Sequence, residues 1–352
     1  MLGSRCTLLP VAVLAVFSAP ALPQENGEGD LDVLLERHLE EGLAREKRNT
    51  LGELARALRE RDPLAGLEPR RRRVLSRFAR VLDSLPGDEL VRTGVWTRGP
   101  ATASLADVAL RLGRSRAVLV GEEHDNPTHH EIELRVLALL HAADPKIAVG
   151  LEMLPRSAQG ALDDFLALQS DEAEFLSRVD WQRTWGFDYA FYRPALDFAR
   201  DHGLPVLALN APADVTRRVS REGLSALTKE QRSRIAREID TTVESHRRRF
   251  ARMTGGHPGH GDPERMYEAM CVWDETMAET AAAFLASRPG WRIVVLAGNG
   301  HVEHGDGIPD RIRRRTGDSC LTVVPRAVEG DEAIDFEELL ADPPGDYVFF
   351  TE

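Results

Sequence analysis

The chain has 352 residues, 42% of them hydrophobic, enough to bury a sizeable core in one large domain with appendages or in two domains. Its 57 acidic against 45 basic residues give a net charge of -12, which would repel a phosphate backbone and argues against nucleic acid as a partner. The arginine clusters at residues 70–73, 247–249 and 313–315 sit beside acidic neighbours and read as solvated helix faces.

In chain order, Arg5 is followed by an apolar run over residues 6–19 and by the small residues Ala19-Pro20-Ala21. This is the pattern of a secretory signal peptide cut after Ala21, so residues 1–21 are expected to be removed and the mature protein to be periplasmic or secreted. Cys6 stands at the start of the apolar run, where a lipoprotein cysteine does not. No later stretch approaches about 18 consecutive apolar residues, so no spanning helix is expected in the mature chain. Residues 22–90 read as a polar linker and an N-terminal helical appendage. Leu31, Leu34, Leu35 and Leu39 recur at helical spacing, and Pro63, Pro69 and Pro86 divide the region into pieces.

From about residue 91 to residue 352 the pattern changes to that of an α/β domain. Aliphatic runs at residues 117–120, 147–151, 205–209, 293–296 and 321–324 have the length and continuity of strands covered on both faces. Helical stretches separate them. The expected architecture is therefore a mainly parallel sheet flanked by helices, with a helical insertion over residues 225–287. A Gly-rich segment at residues 254–263, bearing His257 and His260, must interrupt that insertion.

The strands end in polar or glycine residues: Gly121-Glu122-Glu123-His124, Glu152, Asn210 and Gly298-Asn299-Gly300-His301. Ligands of open α/β sheets bind outside the carboxyl ends of the strands, so these residues are expected to converge on one cleft. Asn126 and Pro127 read as the N-cap and first residue of a helix carrying His129 and His130. Carboxylates and imidazoles gathered in a cleft can ligate a divalent metal ion, move protons or grip a cofactor, and the residue types leave these open.

The segment Val118-Leu119-Val120-Gly121-Glu122-Glu123-His124-Asp125-Asn126-Pro127-Thr128-His129-His130 resembles the signature of the ChaN-like haem-binding proteins, a family placed in a superfamily with Tiki-type proteases. Leu151-Glu152-Met153, Trp185-Gly186-Phe187-Asp188-Tyr189, Tyr192 with Pro194, Leu209-Asn210-Ala211-Pro212, Leu296-Ala297-Gly298-Asn299-Gly300-His301 and Asp346-Tyr347-Val348 follow in the family's order. The resemblance implies haem binding, in haem or iron uptake, with His124, Tyr189, Tyr192 and His301 as cofactor-binding candidates. It leaves open a homodimer or a partner from an uptake system. Trp181, Trp185, Phe187 and Phe191 could line a haem face or form ordinary core. The alternative is a metal-dependent hydrolase of the Tiki or erythromycin-esterase-like type, using Glu122, His124, Glu152 and His301 as metal and acid–base residues. Cys271 and Cys320 are an even pair that either forms one disulfide or stays as two buried thiols.

Overall fold

The computed structural model of the protein describes residues 96–98, 101–102, 108, 111–254, 261–327 and 342–351. The signal-peptide segment, the N-terminal helical region and the loop residues His257 and His260 lie outside the described residues.

The first strands are short: β1 (Trp96–Arg98) and β2 (Ala101–Thr102). The run Ala117–Glu122 forms β3, buried at every position because helices cover both its faces. Asn126 then caps α1 (Pro127–Ala143), accepting hydrogen bonds from the Thr128 and His129 amides, with Pro127 in the first turn where its missing N–H costs nothing. Strand β4 (Ile147–Pro155) leads into α2 (Gln159–Leu166), α3 (Glu172–Arg178), α4 (Trp181–Thr184) and α5 (Tyr189–Asp201). After β5 (Val206–Asn210) come α6 (Ala213–Glu222), α7 (Lys229–Ser233), α8 (Glu244–Met253) and the long α9 (Pro263–Ser287). Strand β6 (Arg292–Gly298), the single turn α10 (Asn299–Val302), α11 (Ile308–Thr316), β7 (Cys320–Ala327) and β8 (Tyr347–Thr351) complete it.

The strands form one sheet in the order β2-β1-β8-β7-β3-β6-β4-β5, parallel from β8 to β5, with β1 and β2 antiparallel at one end. Alternation along each strand divides the core. Val118, Val120, Val149, Leu151, Val294 and Leu296 face α1 and α5, whereas Ala117, Leu119, Ala148, Ile293 and Val295 face α9 and α11. The expected parallel sheet with a helical insertion is thus the observed one.

The topology sets up the site. The chain leaves β3 toward β4, and β6 later inserts between them, so three carboxyl ends from distant parts of the sequence lie side by side. In this register Glu122 is paired with Gly298, and Leu151 with Leu296, which leaves Glu152 beside the end of β6.

One reading needs correction, and one open alternative is decided. The arginine clusters at 247–249 and 313–315 are not simply solvated faces, while the one at 70–73 lies outside the described residues: Arg249 is 6% exposed and paired with Asp306 at 2.5 Å, and Arg315 is half-buried against Glu275. They pin the helices together. Cys271 and Cys320 are separate buried thiols, Cys271 beneath Arg311 and Cys320 at the start of β7.

Candidate functional site

Glu122, the last residue of β3, is fully buried, and its Oε1 is the hub of the cleft. It accepts hydrogen bonds from Nδ1 of His124 at 2.7 Å and from the Tyr192 hydroxyl at 3.0 Å. Burial and the neighbouring Glu133 charge push the Glu122 carboxyl up to about 8. His124 remains part exposed. Burial opposes its charge, but the hydrogen bond to Glu122 and the fields of Glu152 and Glu122 more than offset this and raise the ring above its ordinary value.

Glu152, just past the Leu151 register position, accepts the Gly298 backbone N–H at 2.6 Å through Oε2 and lies 3.2 Å from Nε2 of His301 through Oε1. The other nitrogen of His301, Nδ1, donates to Asp274 at 2.6 Å. Burial opposes charge on His301, but Glu152 and Asp274 on either side lift it to about 10, so the ring is an imidazolium at neutral pH. Asp274, wholly buried in α9, is held well below the usual carboxylate range: burial works against it, and Arg311, His246 and His301 outweigh burial. His246 Nε2 stands 3.1 Å from Asp274 and Arg311 3.5 Å from it, while Arg311 also meets Glu275 at 3.2 Å.

Gly298 joins the two halves. A Cβ there would stand 2.6 Å from Cε1 of His124 and 3.6 Å from Oε2 of Glu152. The close approach of the β6 backbone to the His124 ring requires glycine. The structure therefore brings Glu122, His124, Glu152 and His301 to one edge of the sheet, in two hydrogen-bonded pairs with the Gly298 backbone between them.

The four cofactor-binding candidates differ in what they offer. Tyr192 is buried, and its hydroxyl donates to Glu122. Tyr189 is buried one layer back, against Trp181 and Phe175, and is not brought to the cleft. His301 has both ring nitrogens against carboxylates. On His124 the hydrogen bond occupies Nδ1, which leaves Nε2, beside the Gly298 backbone, as the nitrogen outside that bond. The aromatic run divides between the two roles considered for it. Trp181 is core, donating its indole N–H to the Phe187 carbonyl at 2.7 Å. Trp185 and Phe187 flank the His124 ring at centroid distances of 4.7 and 4.8 Å, the intervening Gly186 turning the chain at φ +91. Phe191 stacks on His130 at 5.1 Å.

Sequence reading missed Asp274, His246 and Arg311, and gave no role to the pair His130 and Glu133. The available signals were two adjacent acids, Asp274-Glu275, within an otherwise apolar stretch of a predicted helix, and an imidazole and carboxylate one turn apart. His129 is structural. Burial lowers it to about 4, and its neutral ring accepts the Glu123 N–H at 2.9 Å, holding the turn that presents His124.

Among solved structures, ChaN of Campylobacter jejuni with cofacially bound haem is similar in fold, with 19% identity, a TM-score of 0.56, and coverage of 74% of this chain and 97% of that one. An erythromycin esterase, EreC, in an open conformation matches at 12% identity and a TM-score of 0.41, over 73% of this chain and 82% of that one. The Arabidopsis thaliana protein RETICULATA-RELATED 5, chloroplastic, is 26% identical over 229 residues, spanning 58% of this chain but 30% of the relative's own length. The profile described as haem-binding uptake, Tiki superfamily, ChaN matches residues 108–312, which include both Gly-x-x-His segments, Glu152 and the aromatic run. The chain belongs to this ChaN family of the Tiki superfamily.

Proposed function

We propose that this chain binds haem at the carboxyl edge of its sheet, with His124 as the iron ligand, and that it does so as an exported protein of haem or iron uptake. The observation that carries the reading is the state of His124: its side chain is part exposed, Nδ1 is tied to the buried Glu122 carboxyl, Nε2 lies outside that bond, and the ring lies between two part-exposed aromatic side chains. A carboxyl oxygen accepting from Nδ1 fixes the tautomer and leaves the lone pair on Nε2, as an axial ligand requires. Trp185 and Phe187 supply apolar surface for a porphyrin. So does Met253, 54% exposed beside Gly300. Arg248, Arg249 and Arg252 line a neighbouring cleft of about 410 Å³ with His304, Asp306 and Asp342, and Arg249 is tied to the site through the Gly300 carbonyl at 2.8 Å. Arg248 and Arg252, both exposed, the latter 4.0 Å from Asp342, are the cations propionates would meet. Bound haem would supply an iron centre able to take a further ligand or pass to a partner. The chain's own residues hold, orient and shield it.

The test is titration of the purified chain with haemin. A saturable Soret shift is expected, lost in His124→Ala and weakened in Trp185→Ala, with Tyr189→Phe unchanged. Binding no stronger than nonspecific adsorption, or unchanged by His124→Ala, would sink the reading. Export is tested by N-terminal sequencing of protein from the native compartment, which should begin near Leu22.

The convergence of Glu122, His124, Glu152 and His301 also supports a metal-dependent hydrolase. That reading demands that His301 release a ring nitrogen from Asp274 or Glu152, and it predicts metal-dependent ester or peptide hydrolysis abolished by His301→Ala.

A further inference from the structure

Behind His124 lies a cluster of which the haem reading uses only Oε1 of Glu122. Glu122 ends β3, and His130 and Glu133 stand one helical turn apart on α1, their side chains no more than 4% exposed. Nδ1 of His130 is 2.9 Å from Oε2 of Glu133 and 3.3 Å from Oε2 of Glu122, and one donor atom from each residue fits within 4.8 Å of the others.

The tautomer of His130 is what makes this arrangement informative. Its Nε2 lies 3.2 Å from the His124 carbonyl oxygen, which can only accept, so Nε2 carries the hydrogen. In the neutral ring Nδ1 then points a lone pair at two carboxyl groups. Such a meeting repels unless carboxyl protons or a cation sit among the three atoms. Oε2 of Glu122, aimed into the cluster, and Oε1 of Glu133 are buried without a hydrogen-bond partner. Protons held by the two carboxyls could serve these contacts one at a time, whereas a single cation among the three donors serves them together.

We propose that Glu122, His130 and Glu133 are the protein ligands of one small divalent transition cation, of the zinc or manganese type, buried beneath His124. Two carboxylates and a neutral imidazole bring two negative charges, which a divalent ion cancels on displacing the protons the carboxyls otherwise hold. Bonds of about 2.0–2.2 Å place neighbouring donors of a tetrahedral ion roughly 3.4 Å apart, so the two His130 spacings of 2.9 and 3.3 Å need to open by no more than about half an ångström. Calcium wants six to eight oxygens and magnesium keeps several waters, and this enclosed set with one nitrogen suits neither. Glu122 would bridge, holding the ion through Oε2 while Oε1 keeps the His124 hydrogen bond. The site stands on its own geometry whether or not haem binds.

The experiment takes the full chain, stripped with chelator, and titrates it with Co²⁺ as a spectroscopic probe and with Zn²⁺ in competition. Metal content and thermal unfolding are followed in parallel. The expected result is a ligand-field spectrum and a rise in Tm that saturate at about one equivalent, with Zn²⁺ abolishing the spectrum while Tm stays raised. The near-isosteric Glu133→Gln should weaken uptake by more than about 100-fold, beyond the cost of losing an outer-sphere partner. His141→Ala is the control, because His141 and His202 form a part-exposed ring pair at 4.5 Å that could hold metal adventitiously. Absence of a saturable cobalt signal in the unsubstituted chain would overturn the proposal in favour of a shared proton, independently of how any variant folds. Equal uptake by Glu133→Gln, or loss of uptake in His141→Ala, would overturn it too. Failure of the haemin titration alone would not touch it.

Discussion

Replacing Asp274 by Asn tests whether the buried charge network beneath the cleft is what holds His301 in place. The two oxygens of Asp274 meet His301 at 2.6 Å, His246 at 3.1 Å and Arg311 at 3.5 Å, with Asp274, His246 and Arg311 wholly buried. Asn keeps the shape but loses the charge, and its amide NH₂ must face groups that are themselves donors. Breaking a buried ion pair by removing one partner costs about 3–5 kcal/mol. Glu275, 3.2 Å from Arg311, keeps part of that cation compensated, so the lower half of the range is expected. At about 2–4 °C per kcal/mol for a protein of this size, Tm should fall by roughly 6–16 °C. The pH dependence gives a second readout. His301 is raised from 6.5 to about 10 in the folded protein, so the stability it contributes is fully present below pH 6.5 and is lost as pH rises through about 10. Asp274→Asn should flatten the fall in stability across that window, measured by urea unfolding at a series of pH values. A loss under about 1 kcal/mol with an unchanged pH profile would refute the reasoning, because surface substitutions commonly cost that little.

The remaining predictions concern how closely the site is packed. Gly298→Ala places a methyl 2.6 Å from the His124 ring, which must swing aside, so haemin affinity should fall while stability drops by only about 1–3 kcal/mol. Gly307→Ala meets the backbone carbonyl oxygen of His301 at 2.3 Å, which cannot swing, so thermal unfolding should show it as the more damaging of the two; the reverse order would contradict the packing. Tyr192→Phe removes the hydroxyl 3.0 Å from Glu122 but keeps the ring against His130 and Trp185, and urea unfolding should show a loss of about 1 kcal/mol.

Much of the site could be read in sequence because strand-end chemistry is local. Continuous apolar runs marked β3, β4, β5, β6 and β7, and residues just past a parallel strand are bound to lie on its carboxyl edge. Asn126-Pro127 likewise fixed the start of α1, since capping is decided by residues next to one another. Those facts placed Glu122, His124, Glu152 and His301 on one edge before any coordinates. What they could not give was the pairing. The insertion of β6 between β3 and β4 is a long-range choice. It alone puts Gly298 against His124, sets Glu152 on the Gly298 amide, and so joins two segments nearly 180 positions apart. Burial decided the rest. The Glu122, His130 and Glu133 cluster, the Asp274 network and the withdrawal of Tyr189 into the core all depend on which face of a helix the sheet covers. An acid or imidazole in a helical sequence reads alike whether that face meets water or protein, and the same side chain holds its charge in the first case but must find a proton, a counter-charge or a metal in the second.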